Sequence, residues 1–132
     1  MSSKILVVDD EPGVRSLFHD ALSRFGYEVT VAANGEQAIS LAETQDFGIA
    51  FLDIKMAGLN GVETLRALKK INPQLEAVMI TGYAGEELVS ESLSLGAFVC
   101  LPKPFGVNQI IETVRALTDA QGMEPEPEEV VV

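Results

Sequence analysis

Five polar residues close short apolar runs in this chain. Asp9 and Asp10 follow Ile5-Leu6-Val7-Val8, Asp53 follows Ile49-Ala50-Phe51-Leu52, and Thr81 follows Ala77-Val78-Met79-Ile80. Lys103 comes just after Phe98-Val99-Cys100-Leu101. Turns favour Asp and Thr, so one or two such placements would be ordinary. The whole set is not. Three carboxylates gathered in one cleft repel one another and stay partly protonated unless a cation joins them. With no His or Cys beside them, oxygen ligands suit Mg²⁺ better than zinc, and Mg²⁺ recruits phosphate oxygens. A carboxylate can attack phosphorus to give an aspartyl-phosphate. Lys103 would then pair with one phosphoryl oxygen and Thr81 would hydrogen-bond another. These residue types suggest phosphoryl transfer onto an Asp.

Such a cleft needs a scaffold that brings the ends of the runs together. Between the runs, apolar residues recur at helical spacing: Val14, Leu17, Phe18, Ala21, Leu22 and Phe25, with Gly26 placed to cap them. Tyr27 to Ala32 alternates and is β-rich, and Asn34-Gly35 breaks it before Ala38, Ile39 and Ala42. Val62, Leu65, Leu68 and Ile71 form a third stripe that Asn72-Pro73 stops. A weaker helix spans Glu86 to Leu95 with Gly96 as its stop, and Ile110, Ile111, Val114 and Leu117 stripe the last. Strict strand–helix alternation predicts a parallel sheet covered by helices on both faces. Five units are too few for a closed barrel of eight. The expected fold is α/β, a five-stranded doubly wound sheet. In such sheets ligands bind beyond the carboxyl ends of the strands, where the five polar residues would sit.

Four motifs then carry a resemblance. Lys4 to Pro12 (KILVVDDEP), Leu52 to Met56 (LDIKM) with Gly61 beyond, Met79 to Gly82 (MITG), and Gly96-Ala97 on to Lys103-Pro104-Phe105 occur in one order. Together they resemble the receiver domain of bacterial two-component response regulators, over residues 4–118. The resemblance implies a flavodoxin-like sheet of strand order 2-1-3-4-5. It implies that Asp53 is the phosphoacceptor, and that Asp10, Asp53, the Lys55 backbone carbonyl and, through water, Asp9 hold Mg²⁺. Thr81 would be the hydroxyl that turns toward the phosphoryl group and Lys103 the cation that contacts it. Lys103-Pro104 would be a cis bond. The implied partners are a sensor histidine kinase or a histidine phosphotransfer protein, and a downstream output protein or domain. A phosphorylation-dependent homodimer also fits the family, whose switch is the face formed by helix four, strand five and helix five. Three features depart from the pattern: Ala57 stands where Pro is usual, Cys100 stands where an aromatic switch residue is usual, and Lys55 and Tyr83 occupy positions that tune phosphoryl lifetime in the family.

Composition narrows the class. With 132 residues the chain suits one domain. Its 20 acids against 9 bases give a net charge of −11, which argues against direct nucleic-acid binding. No apolar run approaches the ~20 residues of a membrane span, so no membrane insertion is expected. A lone cysteine, Cys100, leaves no disulfide framework or multi-Cys metal site and suits a reducing, cytoplasmic compartment. Asp119, Glu124, Glu126, Glu128 and Glu129 crowd the C-terminal end without Lys or Arg. We therefore expect a receiver domain at 1–118 and an acidic flexible tail or linker at 119–132. A stand-alone receiver is favoured over the receiver part of a longer regulator. It would be a signalling phosphoacceptor that catalyses only its own phosphorylation and dephosphorylation. A Mg²⁺-dependent aspartyl-phosphate phosphatase is the rival of another class, but it would want an Asp at position 55, where Lys55 stands. A flavodoxin-type carrier is disfavoured because Asp9 and Asp10 would repel an FMN phosphate.

Overall fold

Strands with no polar position need cover on both faces. In a computed structural model of the chain, β1 (Lys4–Val8) and β3 (Ile49–Asp53) each carry such an apolar run, with Ile5 to Val8 and Ile49 to Leu52 all 0% exposed. The structure describes residues 4–56, 58–82, 86–103 and 105–121. The expectations placed on Ala57, Tyr83, Pro104 and residues 122–132 lie outside the described residues. β2 (Glu28–Ala32), β4 (Glu76–Thr81) and β5 (Val99–Pro102) complete one parallel sheet of order β2-β1-β3-β4-β5. This is the doubly wound fold that the alternation predicts. The half-exposed pattern of β2 follows from its place at the sheet edge.

Because side chains alternate along a strand, the sheet feeds two separate cores. Leu6, Val8, Ala50, Leu52, Ala77 and Met79 pack with α2 (Gly35–Thr44), α3 (Gly61–Ile71) and α4 (Glu86–Ser94). Ile5, Val7, Ile49, Phe51, Val78 and Ile80 pack with α1 (Pro12–Ser23) and α5 (Val107–Gln121). Among the described residues, no helix is long and apolar enough to cross a membrane.

Helix boundaries follow local chemistry. Asn60 and Glu63 exchange hydrogen bonds in a capping box at the start of α3, and the Asn34 side chain accepts from the Gln37 N–H at the start of α2. Gly26 and Gly96 take φ of 87° and 97° beyond α1 and α4, a region open to glycine. Two boundaries differ from expectation. β5 begins at Val99, leaving Phe98 45% exposed outside the strand. α5 runs to Gln121, three residues into the segment expected as tail, because no Gly or Pro interrupts it before Gly122.

Candidate functional site

Strand order reverses its direction of growth between β1 and β3, and in doubly wound sheets that switch point opens a crevice at the carboxyl ends. Asp9 and Asp10 leave β1 there, and Asp53 ends β3 beside them. One carboxylate oxygen from each of the three lies within 4.8 Å of the others. Asp53 is 4% exposed and Asp9 is fully buried, whereas Asp10 faces solvent. The crevice continues as a cleft of about 330 Å³ lined by Asp10, Ile54, Lys55, Met56, Asn60 and Leu88.

Register fixes the other two residues. Thr81 pairs with Pro102 across β4 and β5, and the Lys103 N–H donates to the Thr81 carbonyl at 2.8 Å. Lys103 Nζ then reaches over the acids, 3.5 Å from both Asp9 Oδ2 and Asp53 Oδ2. All five residues that the sequence singled out for chemistry therefore meet at one end of the sheet. Lys55 joins them through its backbone, whose N–H donates to Asp53 Oδ1 at 3.3 Å, while its side chain is exposed.

One lysine does not neutralise this cluster. Burial, aided by the charge of Asp9, raises the Asp53 carboxyl from 3.8 to about 6, against the opposing pull of Lys103. Burial also raises Asp9, in spite of the hydrogen bond from the Glu11 N–H. For Lys103, partial burial works against the charge, but the Glu11 hydrogen bond and the charges of Asp53 and Asp9 outweigh it and raise its pKa. Among the described residues, Asp9 Oδ2 is buried without a hydrogen-bond partner. A buried carboxylate oxygen that has only a long ion pair to Lys103 and lies beside two other acids suits a hard cation of the Mg²⁺ kind.

Three residues that sequence reasoning passed over shape the cleft. Glu11 Oε1 accepts from Lys103 Nζ at 3.0 Å, and the Arg15 guanidinium donates to the Asp9 carbonyl at 2.7 Å. Glu11 carries a signal in the sequence, since it stands just before Pro12, at an N-cap position where Ser, Thr, Asp and Asn are preferred. Gly61, noted above only as part of a motif, presses on the backbone of Asp53 and Ile54; a β-carbon there would collide with the Asp53 carbonyl oxygen and the Ile54 α-carbon. Cys100, by contrast, is set apart from the acids. It packs with the core under α4, and burial raises its thiol pKa.

Comparison with known proteins decides the family. A model of the response regulator receiver domain matches residues 5–115. The chain belongs to the response regulator receiver family. It is 34% identical over 115 residues to sporulation initiation phosphotransferase F of Bacillus subtilis (strain 168), covering 87% of this chain and 93% of that protein. It is 36% identical to the transcriptional regulatory protein CpxR of Escherichia coli (strain K12) over 87% of its own length, but spans only 49% of CpxR. Among solved structures, a CheY-like receiver domain protein from Methanospirillum hungatei JF-1 superimposes with a TM-score of 0.88 at 31% identity, covering 92% of this chain and 98% of the other. NtrX from Brucella abortus gives 0.84 at 31% identity, with 92% of this chain on 28% of NtrX. Receivers are signalling phosphoacceptors that work with histidine kinases or phosphotransfer proteins and with output domains, and they bind Mg²⁺ at an acidic pocket.

Proposed function

We propose that this receiver is phosphorylated on Asp53, in a Mg²⁺-dependent reaction, by a phosphohistidine on a sensor kinase or phosphotransfer protein. The observation that carries this reading is a nearly buried Asp53 carboxylate grouped with two other acids and within 3.5 Å of a lysine. With a pKa of about 6, Asp53 is mostly ionised at neutral pH and can act as a nucleophile. One of its oxygens attacks phosphorus and the P–N bond breaks with its electron pair left on nitrogen, so that an imidazole already protonated on its other ring nitrogen departs neutral. Asp9, Asp10, Asp53 and the Lys55 carbonyl would hold Mg²⁺, which when bound offsets charge on the transferring group. Lys103 contacts one phosphoryl oxygen and the Thr81 hydroxyl takes another. The drawing-in of Thr81 then shifts the face of α4, β5 and α5 toward the form that binds an output partner.

We read the domain as residues 1–118, with the last turn of α5 running on to Gln121, acting in the cytoplasm as a stand-alone receiver. Near-complete coverage of the Bacillus phosphotransferase supports this. A receiver end of a longer regulator is the second reading, supported by CpxR and NtrX, of which the chain spans half or less. Incubation with Mg²⁺ and acetyl phosphate should add one acid-stable, base-labile phosphoryl group. Asp53→Asn should take up none. Full labelling of that variant would move the acceptor elsewhere and sink the proposal.

A further inference from the structure

α1 begins with a broken rule. The residue that opens a helix ordinarily caps a free backbone N–H with its side chain, and Ser, Thr, Asp and Asn do this best. Asn34 and Asn60 do so for α2 and α3. Glu11 holds the same place before α1 and makes no side-chain cap bond. Its carboxylate instead reaches a residue 92 positions away, the Lys103 ammonium, at 3.0 Å. That contact is shorter than the 3.5 Å from Lys103 Nζ to Asp9 Oδ2 and to Asp53 Oδ2. The three acids also differ in depth. Asp9 and Asp53 have side chains 0% and 6% exposed, and Glu11 is 61% exposed. Lys103 thus sits over two buried carboxylates, with its shortest contact to a solvated carboxylate above. Where local preference and observed contact disagree in this way, a functional constraint is the usual reason.

We infer that Glu11 is a positioning residue that acts through Lys103. Its carboxylate draws the ammonium toward the outer edge of the cleft and keeps it from closing further on Asp9 and Asp53 than 3.5 Å, so that their other oxygens stay open to a divalent cation. Among the described residues, a lysine without this anchor has two buried carboxylates as its remaining partners. It would close on them, neutralise part of their charge and compete with Mg²⁺ for the same oxygens. When Asp53 carries a phosphoryl group, Lys103 needs only to leave a solvated partner, and an exposed ion pair is weak enough to give up. Arg15 does not duplicate this role, because its guanidinium is engaged with the Asp9 carbonyl at 2.7 Å.

The proposal rests on the acid cluster being a Mg²⁺ site, and the test separates the two. Metal-free wild type, Glu11→Gln, Lys103→Met and the double variant are titrated with MgCl₂ while amide NMR shifts follow the cleft, with the same spectra reporting that each is folded. Glu11→Gln alone should weaken Mg²⁺ binding roughly fivefold, the size expected when coupled charges are separated. In the Lys103→Met background the same substitution removes only a screened, exposed charge and should change the affinity by less than about twofold. Should Glu11→Gln fold poorly, Glu11→Ser supplies the missing cap, and the same loss of affinity is expected of it. Equal effects of Glu11→Gln in both backgrounds would overturn the positioning role while leaving the metal site intact. Wild type that takes up no Mg²⁺ would overturn both.

Discussion

Removing the charge of Asp53 should make the metal-free protein more stable. The structure raises this carboxyl from 3.8 to about 6, first by burial and then by the neighbouring Asp9. At 1.36 kcal/mol for each tenfold change in proton affinity, ionising it in the fold costs up to about 3 kcal/mol. A folded pKa above the unfolded one means that the native state binds the proton more tightly. Its stabilising contribution is therefore complete below about pH 3.8 and is lost as pH rises through about 6. Asp53→Asn mimics the protonated acid at every pH and escapes that loss. Urea unfolding in EDTA should show wild type and variant nearly equal at pH 4. Their difference should open between pH 4 and 6.5 and reach a plateau of about 2–3 kcal/mol, on the order of 10 °C in Tm for a domain of this size. Millimolar Mg²⁺ should shrink the gap, since it binds the wild-type fold and stabilises it by mass action. A difference that stayed constant from pH 4 to 7.5, or a wild type as stable as the variant at pH 7.5 without metal, would refute the reasoning.

Other expectations follow from single contacts. Gly61→Ala would push a β-carbon into the backbone of Asp53 and Ile54; it should destabilise the fold by about 1–3 kcal/mol in urea and slow phosphorylation by acetyl phosphate. Thr81→Ala should leave phosphorylation of Asp53 in place but cut the phosphorylation-dependent gain in partner affinity several-fold, measured by calorimetry, because coupling in such switches is about 1–3 kcal/mol. Arg66 and Glu91 join α3 to α4 at 2.7 Å with both side chains half-exposed. Arg66→Met should therefore lower global stability by less than about 1 kcal/mol, yet speed amide exchange in α4 more than in α3. Cys100→Ala should change neither phosphorylation rate nor partner affinity appreciably, since the thiol packs in the core under α4 away from the acids.

The layer plan and the polar residues that gather at the carboxyl edge are legible in the sequence, because both are written in local patterns. Burial on both faces demands runs such as Ile5-Leu6-Val7-Val8 with no polar position, and a parallel sheet places the residue after each run at one edge. Asp9, Asp10, Asp53, Thr81 and Lys103 were legible for that reason, as were Gly26 and Gly96 as stops. The remaining features depend on distance across the chain. The reach of Lys103 to Glu11 spans 92 positions and requires the parallel sheet to bring the start of α1 and the end of β5 to the same edge. Gly61 matters because α3 starts against the backbone of β3, a closeness that no periodicity encodes. Phe98 looked like a strand residue by its neighbours, yet the β4–β5 register begins at Val99 and leaves it outside. Patterning tells each residue which face to bury; which distant side chain it then meets is set by strand order, register and the length of the side chains that reach across.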